Sequence, residues 1–266
     1  MSAVTPNYRR RRALAALVVI VAAAVIVAVV WVIAATSASP GMQAAATPQP
    51  SVSATSEPTP EPTPEPTPEV PAFPAPTCDP NDVGALINKL RPICPPDYVP
   101  ELVTVGSTGG ELRPEAAGAM DSLAAALTAE TGYSVFSASA YRSYDTQVST
   151  YGGWVDGYGQ AEADRFSARP GHSEHQTGLA MDLGAESCGC TDEPFGSTPE
   201  GIWVAANAWR FGYIVRYPDG YESTTGYIWE PWHVRYVGPA IAQAMHDAGT
   251  PTLEDYYGTG PAPAYG

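Results

Sequence analysis

The chain has 266 residues, 44% of them hydrophobic, and a formal net charge of −15. Arg9 to Arg12 hold four of the 13 basic residues, so beyond residue 35 nine Lys/Arg stand against 28 Asp/Glu, a formal −19. An acidic body whose only lysine is Lys89 excludes nucleic acid and an anionic lipid surface as partners, because both require clustered cations.

Residues 1–12 form a basic tail, and residues 13–35 carry no charged side chain. At about 1.5 Å per helical residue, that run spans roughly 34 Å, enough to cross a hydrocarbon core of about 30 Å. The arginine block ahead of it predicts a cytoplasmic N-terminus and an exported C-terminal bulk. We read 13–35 as a retained transmembrane signal-anchor, since secretory apolar regions usually run only about 7–15 residues. The small residues from Ala35 to Ser39 resemble a cleavage site and keep a cleaved signal peptide as the alternative. Residues 36–77 carry 12 of the 28 prolines and repeat Glu-Pro-Thr-Pro at 57–60, 61–64 and 65–68. Proline removes backbone donors, so this segment is expected to be a disordered, extended linker. Fully stretched, it would reach on the order of 130 Å. About 189 residues remain, which suits one domain over 78–260 with a disordered tail at 261–266.

Four cysteines lie on the exported side: Cys78, Cys94, Cys188 and Cys190. An oxidising compartment favours disulfides over thiols. Of the three pairings we favour Cys78–Cys94 with Cys188–Cys190, and a metal site at Cys188-Gly-Cys190 is the alternative.

Within the domain, Pro114 opens a helix whose Met120, Leu123, Ala124 and Leu127 fall on one face, and Gly132 closes it. A strand follows over 133–141. Residues 145–168 have helical character interrupted by Gly152, Gly153 and Gly157. A short strand is expected at 179–183. Thr198 and Pro199 open a helix presenting Ile202, Ala205, Ala206 and Trp209, closed by Gly212. A strand at 213–217, a turn at 218–220, a bent strand or strand pair over 227–237 and a helix at 239–248 complete the series. Strands and helices mix without a βαβ rhythm, so the expected class is α+β.

The histidines are His172, His175, His233 and His246. His175 precedes Asp182 by seven residues, and His233 follows Glu230 by three with Pro231 between them. Two imidazoles and a carboxylate make a three-ligand zinc site with one open position, the hallmark of a catalytic rather than a structural centre. In a regular strand Glu230 and His233 would face opposite ways. A bend at Pro231 would turn both toward one centre and place Glu230 to take a proton from water. Of the other two, His172 reads as a rim residue and His246 as a charge near a helix C-terminus. Trp203 and Trp209 read as core, Trp232 as packing beneath the site and Trp229 as lining it. The tyrosines of the exported part, 14 of the 15, could offer a carbohydrate-binding surface or simply cover a charge-poor domain.

Tyr-Arg-Ser (141–143), Gln147, SEHQTGLAMDL (173–183) and EPWHVRYVG (230–238) together resemble the VanY-type D-alanyl-D-alanine carboxypeptidases. These belong to the LAS group of zinc peptidases, alongside VanX-type dipeptidases and Hedgehog-like domains. The resemblance spans roughly residues 113–248 and implies a small antiparallel sheet flanked by helices. It also implies one Zn²⁺ per domain held by His175, Asp182 and His233, with Glu230 as general base. Arg142 would meet substrate and the developing oxyanion, while Gln147 and Ser173 would help to hold substrate. Arg142 is suited equally to binding the terminal carboxylate through its planar fork. The implied substrate is a peptidoglycan stem peptide losing its terminal D-alanine outside a bacterial cell, with the enzyme attached to the membrane through its N-terminal helix. Alternatives are a dipeptidase or endopeptidase of the same group, or a non-catalytic wall-binding module. Cys188-Gly-Cys190 and Ile228-Trp229 depart from the expected pattern beside the cleft and bear on substrate preference. The sequence carries no signal for an oligomeric state.

Overall fold

The computed structural model describes residues 76–266. The expected membrane segment at 13–35 and the linker up to residue 75 lie outside the described residues. Among the described residues no helix is long and apolar enough to cross a membrane. In chain order the elements are β1 (Val103–Thr104), β2 (Glu111–Leu112), α1 (Pro114–Thr131), β3 (Val135–Ser139), α2 (Tyr144–Tyr158) and α3 (Gln160–Ala163). There follow β4 (Ala180–Ala185), α4 (Pro199–Asn207), β5 (Tyr213–Tyr217), α5 (Glu222–Thr225), β6 (Glu230–Tyr236), α6 (Pro239–Ala248) and α7 (Leu253–Tyr257). β1 and β2 form a small hairpin, and the four longer strands form an antiparallel sheet in the order β3-β4-β6-β5. The architecture is α+β.

Strand alternation divides the sheet into two unlike faces. Met181, Leu183, Val234 and Tyr213 point to one side, where they pack with Met120, Leu123 and Leu127 of α1 in the main core. Asp182, His233, Arg235 and Arg216 occupy the alternate positions. The pairings Asp182↔His233, Ala180↔Arg235 and Ile214↔Arg235 bring them onto the opposite face. On that side Ile214 joins Ala242 and Met245 of α6 and Leu253 and Tyr256 of α7 in a second core. Gly184 pairs with Phe136, whose ring any Cβ there would strike.

Several expectations are corrected. α2 runs without a break through Gly152, Gly153 and Gly157. Glycine weakens a helix by about 1 kcal/mol but, unlike proline, keeps its amide donor. The helix starts one residue earlier than expected, where the Ser143 hydroxyl accepts the Thr146 amide, and it stops at Gly159 with φ 80°. α4 is rotated from the expected face: Gly201, Trp203 and Val204 are buried while Ile202 is 60% exposed. The residues that pack are those facing α1 and the core, and the apolar spacing alone chose the wrong stripe. Trp209 accordingly lies half-buried at the edge of the second core.

The tail 261–266 is not a loose end. Ala262 is buried and its amide donates to Thr224. Tyr265 accepts the Arg169 amide at 2.7 Å and meets the Tyr227 hydroxyl at 3.2 Å. Lys89 donates to the Gly226 carbonyl and sits 4.7 Å and 5.5 Å from the Tyr227 and Tyr265 ring centres, so cation–π attraction fastens the tail. Proline-rich composition hid these contacts from a local reading. Cys78–Cys94 and Cys188–Cys190 pair as favoured, with Cα separations of 5.5 Å and 5.2 Å.

Candidate metal centre and cleft

His175 stands in a short 3₁₀ turn, Glu174–Thr177, that Gly178 ends in the left-handed region at φ 69°. A side chain at Gly178 would be strained there and would crowd Pro100. Asp182 and His233 are directly opposed on β4 and β6, so their side chains share a face. The turn delivers His175 to the same point, and one donor atom from each of the three lies within 4.8 Å of the others. His175 Nε2 is 3.2 Å from one Asp182 oxygen, and His233 Nδ1 is 2.9 Å from the other.

The donor chemistry fits a zinc ion. His175 Nδ1 lies 2.7 Å from the Ala140 carbonyl, which fixes its proton there and leaves the Nε2 lone pair facing the centre. His233 turns Nδ1 inward in the same way. His172 does not complete a fourth ligand: its Nδ1 bonds the Asn88 carbonyl at 2.8 Å and its ring abuts Tyr265. Among the described residues the group has three members, as an open site requires.

Glu230 joins this centre through an irregularity in β6. Val215 pairs with Val234 and Tyr217 with Glu230, so β6 carries two more residues than β5 over that interval. The bulge rotates Glu230 onto the His233 side, its carboxylate 3.8 Å from His233 Nδ1. Burial pushes the Glu230 pKa up to about 8, with Asp182 adding to the effect and His233 and Arg142 opposing it. For Asp182, burial acts upward but the bonds to His175 and His233 outweigh it and hold the carboxyl far below the usual range. Burial lowers His175. At His233 burial acts downward, and the neighbouring Asp182 and Glu174 carboxylates overcome it to give about 9. The two carboxylates are pushed in opposite directions, so Asp182 stays anionic while Glu230 can carry a proton.

Arg142 follows β3 and is held by Gln147 and Ser139, each accepting at 2.9 Å, with Asp182 at 3.7 Å. Gln147, expected to hold substrate, does not reach the cavity. It is fully buried, and its amide nitrogen donates to the Ala168 carbonyl at 2.6 Å, so it braces Arg142 from behind. Ser173 does line the cavity, which measures about 520 Å³. Trp232 packs against the main core as expected, but Trp229 does not line the cleft. The bulge lets Trp232 border the cleft together with Glu230 and His233, while Trp229 faces a separate groove. Sequence reasoning missed the aromatic wall of Trp154, Phe166 and Tyr227, and it missed Thr191 and Asp192 just after the Cys188–Cys190 loop. His246 lies in the last turn of α6, as expected, and its ring stacks on Trp209 at 3.8 Å.

Three side chains able to hold a metal, a buried carboxylate beside them and an arginine 3.7 Å from Asp182 fit the class of hydrolytic metallopeptidases. The profile of the VanY family, described as D-alanyl-D-alanine carboxypeptidase, matches residues 109–239. The putative carboxypeptidase YodJ of Bacillus subtilis is 39% identical over 189 residues, covering 67% of this chain and 68% of its own length. The solved LdcB LD-carboxypeptidase superposes with a TM-score of 0.63 at 40% identity, covering 67% of this chain and 87% of its own. The vancomycin-resistance D,D-pentapeptidase VanY in complex with Zn(II) superposes with a TM-score of 0.58 at 32% identity, covering 66% and 98%. The chain belongs to the VanY D-alanyl-D-alanine carboxypeptidase family and is a carboxypeptidase of that type. The Zn(II)-bound relative and the His/Asp donor set support zinc as its cofactor.

Proposed function

We propose that the protein removes the C-terminal D-alanine from peptidoglycan stem peptides, with one zinc per domain held by His175, Asp182 and His233. Zinc, when bound, supplies Lewis acidity and brings the pKa of water from about 15.7 toward 7. Glu230 takes the proton of the attacking water and returns it to the leaving amine nitrogen. Arg142 faces the same cavity and stabilises the negative charge gathering on the scissile carbonyl oxygen. Ser173 lines the same cavity and is the donor proposed for the substrate's terminal carboxylate. Gln147 acts through Arg142 by holding its guanidinium plane. The observation that carries this reading is the Glu230 carboxylate at 3.8 Å from His233 Nδ1, buried and aimed at the donor set. A binding module without catalysis would have no use for a carboxylate held there.

The apolar run at 13–35, the Arg9–Arg12 block and the proline-rich 36–77 segment support a wall-facing domain tethered to the cell membrane. The test is mass spectrometry of muropeptides incubated with the purified full chain, with and without a chelator. Loss of one terminal residue from pentapeptides, abolished by the chelator, is the expected result, and unchanged muropeptides would overturn the proposal. The likeness to the LD-carboxypeptidase at 40% identity supports a second reading, cleavage after an L-centre. Trimming confined to tetrapeptides in the same experiment selects it.

A further inference from the structure

Behind the donor set lies a layer of charge that the reaction scheme does not use. Glu174, Arg216, Arg235 and Glu254 are all buried, none more than 2% exposed. Arg216 meets both oxygens of Glu254, at 2.9 Å and 2.8 Å, and its Nε donates to Glu174 Oε1 at 2.9 Å. Arg235 Nη1 is 2.8 Å from the same Glu174 oxygen, and its other nitrogens donate to the Tyr236, Val83 and Ala85 carbonyls. Two arginines and two carboxylates balance, which is what makes their burial tolerable.

The second oxygen of Glu174 is not needed for that balance. Oε2 has no hydrogen-bond partner of ordinary length, and neither does His233 Nε2; these two buried atoms face each other at 3.5 Å. Imidazole has one proton to place when neutral, and the nitrogen without it is the one that can bind a metal. A carboxylate fixed at Nε2 draws the proton there and leaves the Nδ1 lone pair for the centre shared with His175 and Asp182.

We propose that Glu174 is a positioning residue that accepts the Nε2–H of His233 and thereby sets both the tautomer and the ring angle of the third metal ligand. The inference rests on the zinc reading above. One 3₁₀ turn thus serves two ligands, supplying His175 itself and, from the adjacent residue, the backing of His233. Arg216 and Arg235 both hold Glu174 Oε1 and so immobilise the carboxylate for that purpose.

The test compares Glu174→Gln with Glu254→Gln in the full chain, reading zinc affinity by chelator competition and fold by thermal melting of the metal-free form. Both variants disturb the buried charge layer, but Glu254 does not touch His233. We expect Glu174→Gln to weaken zinc by about 10–100-fold, the usual cost of losing a partner behind a ligating histidine, while Glu254→Gln stays within about threefold of wild type. Equal zinc affinity in Glu174→Gln and wild type, or an equal loss in both variants, overturns the proposal. If Glu174→Gln does not fold, the zinc-loaded wild type still decides. With only four histidines, ¹⁵N-histidine spectra should show a slowly exchanging proton on His233 Nε2, and a proton on Nδ1 overturns the assignment. Failure of the wild type to bind zinc at all would instead remove the zinc reading itself, and this inference with it.

Discussion

Two depressions lie on either side of the start of β6, and they differ in what fills their walls. The metal-site cleft, about 520 Å³, is lined by Glu230, Asp182, His175, His233 and Arg142. The neighbouring groove, about 360 Å³, is walled by Trp209, Trp229, Pro231 and Met245, with His246 stacked on Trp209. Trp229 and Pro231 face the groove while Glu230 between them faces the cleft. Convergent buried ionisable groups with displaced pKa values mark the cleft as the place where chemistry happens.

That contrast can be broken most severely at Glu230. Glu230→Ala should lower hydrolysis by about 10³-fold, within the range for removal of a general acid–base group, while zinc content measured by metal analysis stays at the wild-type level. Retained turnover would remove Glu230 from the reaction. Next in size is Arg142→Lys, expected to cost about 10²-fold because an ammonium cannot reproduce the planar fork at a developing oxyanion. Near-normal steady-state rates would place the oxyanion donor elsewhere.

The charged layer behind the cleft predicts a pH effect on stability rather than on rate. Arg216 and a bond from Asn88 outweigh burial and hold Glu254 below the 4.5 of an ordinary glutamate, and Arg235 and Arg216 do the same for Glu174. A folded-state pKa that is depressed stabilises the native state above the unfolded value and loses that contribution as pH falls toward the folded one. Melting of the metal-free chain should therefore move to lower temperature as pH drops below about 4.5, and Glu254→Gln should flatten the slope. An unaltered slope would show that this layer does not govern acid stability. The smallest effect on hydrolysis belongs to the groove. Trp209→Ala should cost about 2 kcal/mol of stability, less than a fully buried tryptophan, and leave the rate within about twofold of wild type. A loss of rate comparable to that of Arg142→Lys would erase the distinction between the two depressions.

The cleft was largely legible in the sequence because its donors sit in short motifs, and because Pro231 announced the bend that brings Glu230 round to His233. The layer behind it was not. Glu174 reads as one more polar residue beside His175, and its partners Arg216 and Arg235 lie on strands whose pairing only the folded sheet reveals. Gln147 was found, but its burial behind Arg142 was not, since that depends on how α2 packs against residues 167–168. The same limit explains the errors on α4, where apolar spacing could not tell which stripe would meet α1. It also explains the tail, whose anchors come from Thr224, Arg169 and Lys89.

The direct opposition of Asp182 and His233 on adjoining strands has a consequence for how the protein matures. Sliding β6 by a single position would send one of the two side chains to the far surface of the sheet. A chain trapped with that misalignment would keep most of its hydrogen bonds yet forfeit its grip on the ion. With zinc held as proposed, metal capture would therefore favour molecules whose strands are correctly aligned.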